Sequence, residues 1–303
     1  MLLDRLKRVF AAPPGDAAED YVRMAYKVLL RRDIDPSGLD AWREQISSGR
    51  FQQQNVINTI LSSVEYQERF GPDLIGIAHR ARQAWIATLA PYERILDIGG
   101  SSPTRPEGAL FELGYPHRPR VLDIVDLPPD EQYWGKPKFD QKVPHRFEWG
   151  EVTYYHVRAE EIAGFAPLSA KSYDAIFLGQ AIEHIYPDAL PSVLEWIRTH
   201  LNPDGRLIFD TPNRLLTKIQ CPNSLIDPDH KYEYTPAEME GVLKRAGFAV
   251  TRRVGMVHLR RQAASGIYDP REFSEGAPMS DDVDACYLFA FEASASGRDS
   301  AAD

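Results

Sequence analysis

Asp97, Gly99, Gly100 and Ser101 stand together in RILDIGGSSPTR, residues 94 to 105, where an apolar run breaks into a glycine turn. Backbone N–H groups in such a turn bind a polar ligand, and glycine lets it approach the main chain closely. A dinucleotide site here would read G-x-G-x-x-G, with a pyrophosphate on the next helix N-terminus. Instead Gly99 and Ser101 occupy the first two glycine positions and no third follows in register. Asp97 at the strand end is an anion unsuited to a pyrophosphate; it suits a cationic or hydroxyl-rich ligand. Both features weigh against a nicotinamide cofactor. Asp126 closes the next apolar run, in DIVDLPP, where a carboxylate can accept both hydroxyls of a ribose. On position alone it reads equally well as a turn aspartate. Glu183 and His184 follow the apolar run YDAIFLG, and His230 lies in DPDHKYEYT. Carboxylate and imidazole groups are the common carriers of protons in catalysis.

The elements that must position these residues alternate. RILDI, RVLDIVD, VTYYHV, YDAIFLG, RLIFDTP, AVTRRVGMVHL and ACYLFAFEA read as seven strands. Between them lie helices: PEGALFELG, DALPSVLEWIRTHL, and PAEMEGVLKRAG with a capping box from Thr235 to Glu238. That alternation predicts an α/β fold, a Rossmann-like doubly wound and mostly parallel seven-stranded sheet. The ligand crevice then lies beyond the carboxyl ends of the strands. Residues 127 to 150 and 260 to 284 are irregular, and connections of that length are often lids. His258, inside GMVHL, reads as a core histidine.

A small all-α domain precedes the sheet. EDYVRMAYKVLL carries an apolar stripe, and DPSGLDAWREQISSG opens on Asp35 as N-cap with Pro36 at the first helical position. SSVEYQERF offers a capping box from Ser62 to Glu65, and a further amphipathic helix runs from Leu74 to Leu89. The expected organisation is 1–16 as a tail or amphipathic helix, 17–72 as the helical module, 73–293 as the α/β domain, and 294–303 as a disordered tail. Residues 1 to 10 read as a frayed or docked helix, though their basic amphipathic pattern also suits weak membrane-surface contact.

The 303 residues carry a net charge of −9, which argues against a broad nucleic-acid surface. No apolar run approaches the roughly 18 residues of a membrane span. The start lacks a signal peptide's apolar core and cleavage site. Cys221 and Cys286 have no metal-ligand spacing, which points to a reducing, cytoplasmic setting. No obligate protein partner is expected.

Two resemblances extend this reading. YKVLLRRDIDPSGLDAW with LSSVEYQERFG resembles a bacterial helical domain of unknown function, with Arg31 where that family usually has glycine. Trp42 and Tyr66 read there as packing residues. From Trp85 to Glu292, six segments in order resemble the class I S-adenosylmethionine-dependent methyltransferases: ILDIGGSS, VDLPP, RAEEI, YDAIFLGQAIEHI, LNPDGRLIFDTPN and HKYEYTPAEMEGVLKRAGF. The resemblance implies S-adenosylmethionine as cofactor, held by Asp97, Gly99, Gly100, Ser101, Asp126, Leu127, Ala159, Glu160 and Gln180. Ser101 replaces the second glycine of the first motif, Pro103 another, and Arg158 an aspartate that often contacts adenine.

The reaction so implied is methyl transfer to oxygen on a small molecule or bacterial polysaccharide. His184 is the expected base or acceptor-orienting group, with Glu183 and His230 beside it. Some hydroxyl-methylating members bind a divalent ion through the E-H pair and an acidic third residue. Gln180 stands at that third position, leaving magnesium short of charge, so no metal is favoured. Tyr232 and Tyr234 could stack on a sugar or aromatic acceptor, or pack. A silent scaffold with a degenerate site and an NAD-dependent oxidoreductase are the alternatives.

Overall fold

The computed structural model describes residues 15–48, 53–61, 63–70, 73–129, 131–132, 137–227 and 229–296. The expectations for residues 1–10, Ser62 and 297–303 fall outside that set. The chain divides into two compact bodies, one up to Gly76 and one from Ile77 onward.

The first body is helical, with α1 (Gly15–Leu29), α2 (Pro36–Ser47), α3 (Gln53–Leu61) and α4 (Val64–Phe70). Val22, Leu39, Trp42, Val56, Ile60 and Tyr66 form its buried interior, so Trp42 and Tyr66 do pack. Asp35 caps α2 by accepting the Gly38 N–H at 2.8 Å, and Pro36 follows at the first helical position. Among the described residues, Ser63 caps α4. Its hydroxyl accepts the Tyr66 N–H at 3.1 Å, because the helix begins at Val64. Arg32 grips Glu65 through two contacts of 2.6 Å. Arg31 has a φ of 51°, in the left-handed region where glycine carries no Cβ penalty.

From Ile77 the helix α5 (Leu74–Ile86) belongs to the α/β body. Its strands are β1 (Arg94–Ile98), β2 (Val121–Asp126), β3 (His145–Phe147), β4 (Gly150–His156), β5 (Tyr173–Gly179), β6 (Leu201–Pro212), β7 (Phe248–His258), β8 (Met279–Ser280) and β9 (Cys286–Ala295). They form one nine-stranded sheet in the order β3-β4-β2-β1-β5-β6-β9-β7-β8. The seven expected strands are all present; β3 and β8 are additions at the two edges. Both come from the stretches read as irregular, and each is antiparallel to its neighbour. β4, β2, β1, β5 and β6 are mutually parallel, and β9 is antiparallel to both β6 and β7. β9 continues to Ala295, pairing Ser294 with Ala249 and Ala295 with Phe248, so these two residues belong to the sheet and not to the expected tail.

The parallel strands are buried on both faces, hence their nearly continuous apolar text. Leu96, Ile98, Ile176, Leu178, Leu207 and Phe209 meet α7 (Leu190–His200) and α9 (Pro236–Arg245) in one core. Here α6 is Gly108–Glu112 and α8 is Arg214–Gln220. The capping box at Thr235 and Glu238 is formed as expected. Pairing Ile98 with Val125, Asp126 with His156 and Gly179 with Asp210 brings the carboxyl ends of five strands to one edge. Strand order reverses between β1 and β5, where an open parallel sheet forms its ligand crevice. No described helix is long and apolar enough to cross a membrane.

Candidate active site

The turn after β1 is built around glycine. Gly99 has a φ of 81°, and its N–H donates to the Val125 carbonyl at 2.8 Å. A Cβ on Gly100 would lie 2.2 Å from the Asp97 carboxylate, so no larger residue fits there. Ser101 needs no left-handed backbone, which is why it can replace a glycine. Its N–H donates instead to Asp126 Oδ2 at 2.9 Å. The third special glycine exists, but out of register. Gly108 has a φ of 81°, and its Cβ would meet Ile124 Cδ1 at 2.5 Å and the Gly100 carbonyl at 2.7 Å. It performs the close helix–strand packing that the third glycine of a nucleotide-binding turn performs.

Asp97 is buried, and its Oδ2 has no hydrogen-bond partner among the described residues. Burial, reinforced by the Asp126 charge, pushes its carboxyl up to about 8. Asp126 also accepts the Leu127 N–H at 2.7 Å. Burial raises its pKa against the pull of the Ser101 and Leu127 amides. Beside it His156 ends β4, its Nδ1 within 3.2 Å of the Leu127 carbonyl and its Nε2 unpartnered among the described residues. Sequence reading missed His156, although a histidine closing the third parallel strand was a usable signal. Ala159 and Glu160 open the 3-10 turn Ala159–Gly164, half-buried at the same edge. Arg158 is exposed and paired with Glu131. The irregular stretch folds back over this region: Lys138 N–H donates to the Pro103 carbonyl at 2.9 Å, and the buried Gln132 bonds both Leu127 O and Gln141 Oε1. A turn with an unpartnered buried carboxylate, a strand-end carboxylate and close-packed glycines fits an adenosyl ligand carrying a cationic group.

After β5 the chain enters the 3-10 turn Ile182–His184. Ala181 lies against the turn after β1, 3.1 Å from where a Gly99 Cβ would stand. Gln180 is placed otherwise than expected. Its side-chain amide donates to Asp210 Oδ2 at 2.8 Å, which turns it toward β6.

Glu183, His184 and His230 converge: one ligand-capable atom from each lies within 4.8 Å of the others. The imidazoles meet edge to face with centroids 4.9 Å apart. Glu183 is fully buried; Thr211 Oγ1 donates to its Oε2 at 2.9 Å, and Oε1 has no partner among the described residues. Burial pushes this carboxyl up to about 7. Burial and the neighbouring His230 push His184 down to about 4. His230 goes the other way: burial opposes its charge, but Glu233 and Glu183 outweigh it and raise the pKa. Glu233 holds the His230 Nδ1 at 2.8 Å and also accepts from the Ile226 N–H and Thr217 hydroxyl. Glu233 was missed because its three-residue spacing from His230 falls in a loop that carries no periodicity.

The donor set fits a divalent ion better than Gln180 allowed, since His230 supplies the third position. One carboxylate and two imidazoles suit a transition metal more than magnesium. The Nδ1 of His230 is held by the Glu233 carboxylate, an arrangement that orients metal-binding histidines. Tyr234 is buried in the core and packs, whereas Tyr232 is 38% exposed beside it. His258 ends β7, 3.7 Å from Asp282.

Comparison with known proteins decides the family. A family described as "Methyltransferase domain" matches residues 69–253, more than half of the chain. The chain belongs to this methyltransferase family. Its class I assignment and its cofactor, S-adenosylmethionine, stand with it. Residues 10–70 match a domain of unknown function, DUF4214. A protein of Mycolicibacterium smegmatis named a probable S-adenosylmethionine-dependent methyltransferase is 32% identical over 120 residues, 37% of this chain. The match spans 45% of that protein's length. The crystal structure of a Thermotoga maritima S-adenosylmethionine-dependent methyltransferase, described as a possible histamine N-methyltransferase, superposes with a TM-score of 0.50 at 17% identity. The superposition covers 73% of this chain and 90% of that one, a likeness of fold.

Proposed function

We propose that this methyltransferase transfers the methyl group of S-adenosylmethionine to a hydroxyl oxygen of a small-molecule or carbohydrate acceptor. The observation that carries the reading is the convergence of Glu183, His184 and His230 within 4.8 Å, with Glu183 two residues beyond the alanine that abuts the cofactor turn. The cofactor supplies an activated methyl on a sulfonium. The protein must then align the acceptor for in-line displacement and take its proton. Asp126 would receive the ribose hydroxyls, and Asp97 and the Gly99–Ser101 backbone the methionine end.

His184 was the expected base, but an imidazole held near 4 is a weak proton acceptor at neutral pH. Glu183 has the unpartnered Oε1 and a pKa of about 7, close to the value a base needs. It takes the proton; His184, neutral, accepts a hydrogen bond from the acceptor and orients it. His230 is oriented by Glu233, whose carboxylate raises its pKa against the effect of burial. Tyr232 offers an exposed ring at the acceptor side.

The donor set supports a second reading, in which Glu183, His184 and His230 hold a divalent cation that acidifies the acceptor hydroxyl. The test is transfer of labelled methyl from S-adenosylmethionine to a panel of sugars, polyols, phenols and amines. It is run with and without chelator, on wild type and Glu183→Gln. Labelled ethers, lost in the variant and insensitive to chelator, support the base; loss with chelator and recovery with manganese support the cation. Labelling of amines alone would overturn oxygen as the acceptor atom.

A further inference from the structure

We propose that Arg82, Asp210 and Gln180 form a positioning clamp for the cofactor turn, Arg82 and Asp210 acting through the main chain of Gln180 and Ala181. The clamp rests on the assignment of that turn to S-adenosylmethionine. Gln180 has a φ of 53°, a left-handed conformation that a residue with a Cβ keeps only where its surroundings hold it. Two bonds do so. Gln180 N–H donates to the Asp210 carbonyl at 2.9 Å, and Gln180 Nε2 donates to Asp210 Oδ2 at 2.8 Å. Asp210 is wholly buried, and a buried carboxylate needs a cation. Arg82 supplies it from α5 in a two-pronged grip, Nε to Oδ2 at 2.6 Å and Nη2 to Oδ1 at 3.1 Å.

The chain between has no slack. A Cβ on Gly179 would meet the Phe177 ring at 2.6 Å and Arg82 Nη2 at 2.9 Å. One residue past the clamp, Ala181 abuts Gly99, the left-handed residue of the cofactor turn. The position of Ala181 therefore sets how far that turn can move, and the clamp sets Ala181. Arg82 and Asp210 lie 128 residues apart in sequence, so the device joins the helix before the sheet to the far wall of the crevice.

Calorimetric titration of the full chain with S-adenosylhomocysteine tests it, on wild type, Arg82→Met, Arg82→Lys, Gln180→Gly and the Arg82→Met/Gln180→Gly pair. Gln180→Gly removes the amide and at the same time relieves the left-handed backbone. Affinity should fall about ten-fold in Gln180→Gly and in Arg82→Met, the size expected for losing a charged hydrogen bond. The melting temperature of Gln180→Gly should stay at or above wild type, a split that a purely structural role does not produce. Arg82→Lys should recover part of the affinity, and the double variant should lose no more than the worse single one. Wild-type affinity in Gln180→Gly, or losses that simply add, would overturn the clamp. If Arg82→Met fails to fold, the Gln180→Gly titration decides alone. Failure of the wild type to bind overturns the cofactor assignment and the clamp together.

Discussion

Asp126 Oδ2 accepts the N–H of Ser101 at 2.9 Å, tying the end of the second parallel strand to the turn that follows the first. One carboxylate thus shapes the turn and is the proposed acceptor of the ribose hydroxyls. Asp126→Ala should lower S-adenosylhomocysteine affinity by roughly 100-fold, the scale of two charge-assisted hydrogen bonds. Calorimetry reads the affinity and circular dichroism the fold; near-wild-type binding would remove Asp126 from the site.

Gly108→Ala should destabilise the α/β body by about 3 kcal/mol, from left-handed strain plus contacts with Ile124 and the Gly100 carbonyl. Urea unfolding measures this. A loss under about 1 kcal/mol would mean that the helix start moves aside easily.

The protonation of Asp97 predicts a pH signature. Its folded pKa of about 8 lies above the unfolded value near 4, so the protonated form favours folding. That contribution is complete below pH 4 or so and is lost as pH rises through about 8. Asp97→Asn, neutral throughout, should leave the melting temperature nearly unchanged at pH 4 and raise it clearly at pH 8. It should also lose S-adenosylhomocysteine. A gain that does not grow with pH would contradict a buried, protonated carboxyl.

Arg31→Gly should stabilise the helical body by about 1 kcal/mol, because the backbone there already has a φ of 51°. Thermal melts of the full chain, read by differential scanning calorimetry, would show the shift in the transition of the helical body. Destabilisation would mean that the arginine side chain contributes more than its strain.

The seven long strands could be read from the text because burial on both faces leaves unbroken apolar runs, as in YDAIFLG. β3 and β8 span three and two residues, too few to show any period. The carboxylates and turn glycines were visible because residue type and strand end coincide. Gly108 was not, since its need arises from Ile124 and Gly100 packing across space. Arg82, Asp210 and Glu233 escaped for the same reason: charge pairs closed by the fold leave no spacing in the sequence.

Asn213 stands where β6 ends, its side chain bonded to the carbonyls of Val283, Asp284 and Cys286, just as β9 begins to fill the gap between β6 and β7. During synthesis, then, the two strands flanking β9 are made with their facing edges bare, and the sheet is sealed only when the segment through Ala295 leaves the ribosome. A nascent chain stalled before Cys286 exposes the edges of β6 and β7 to any other unpaired strand. The crevice is encoded early, but the sheet behind it is completed by β9, a strand made after both of its neighbours.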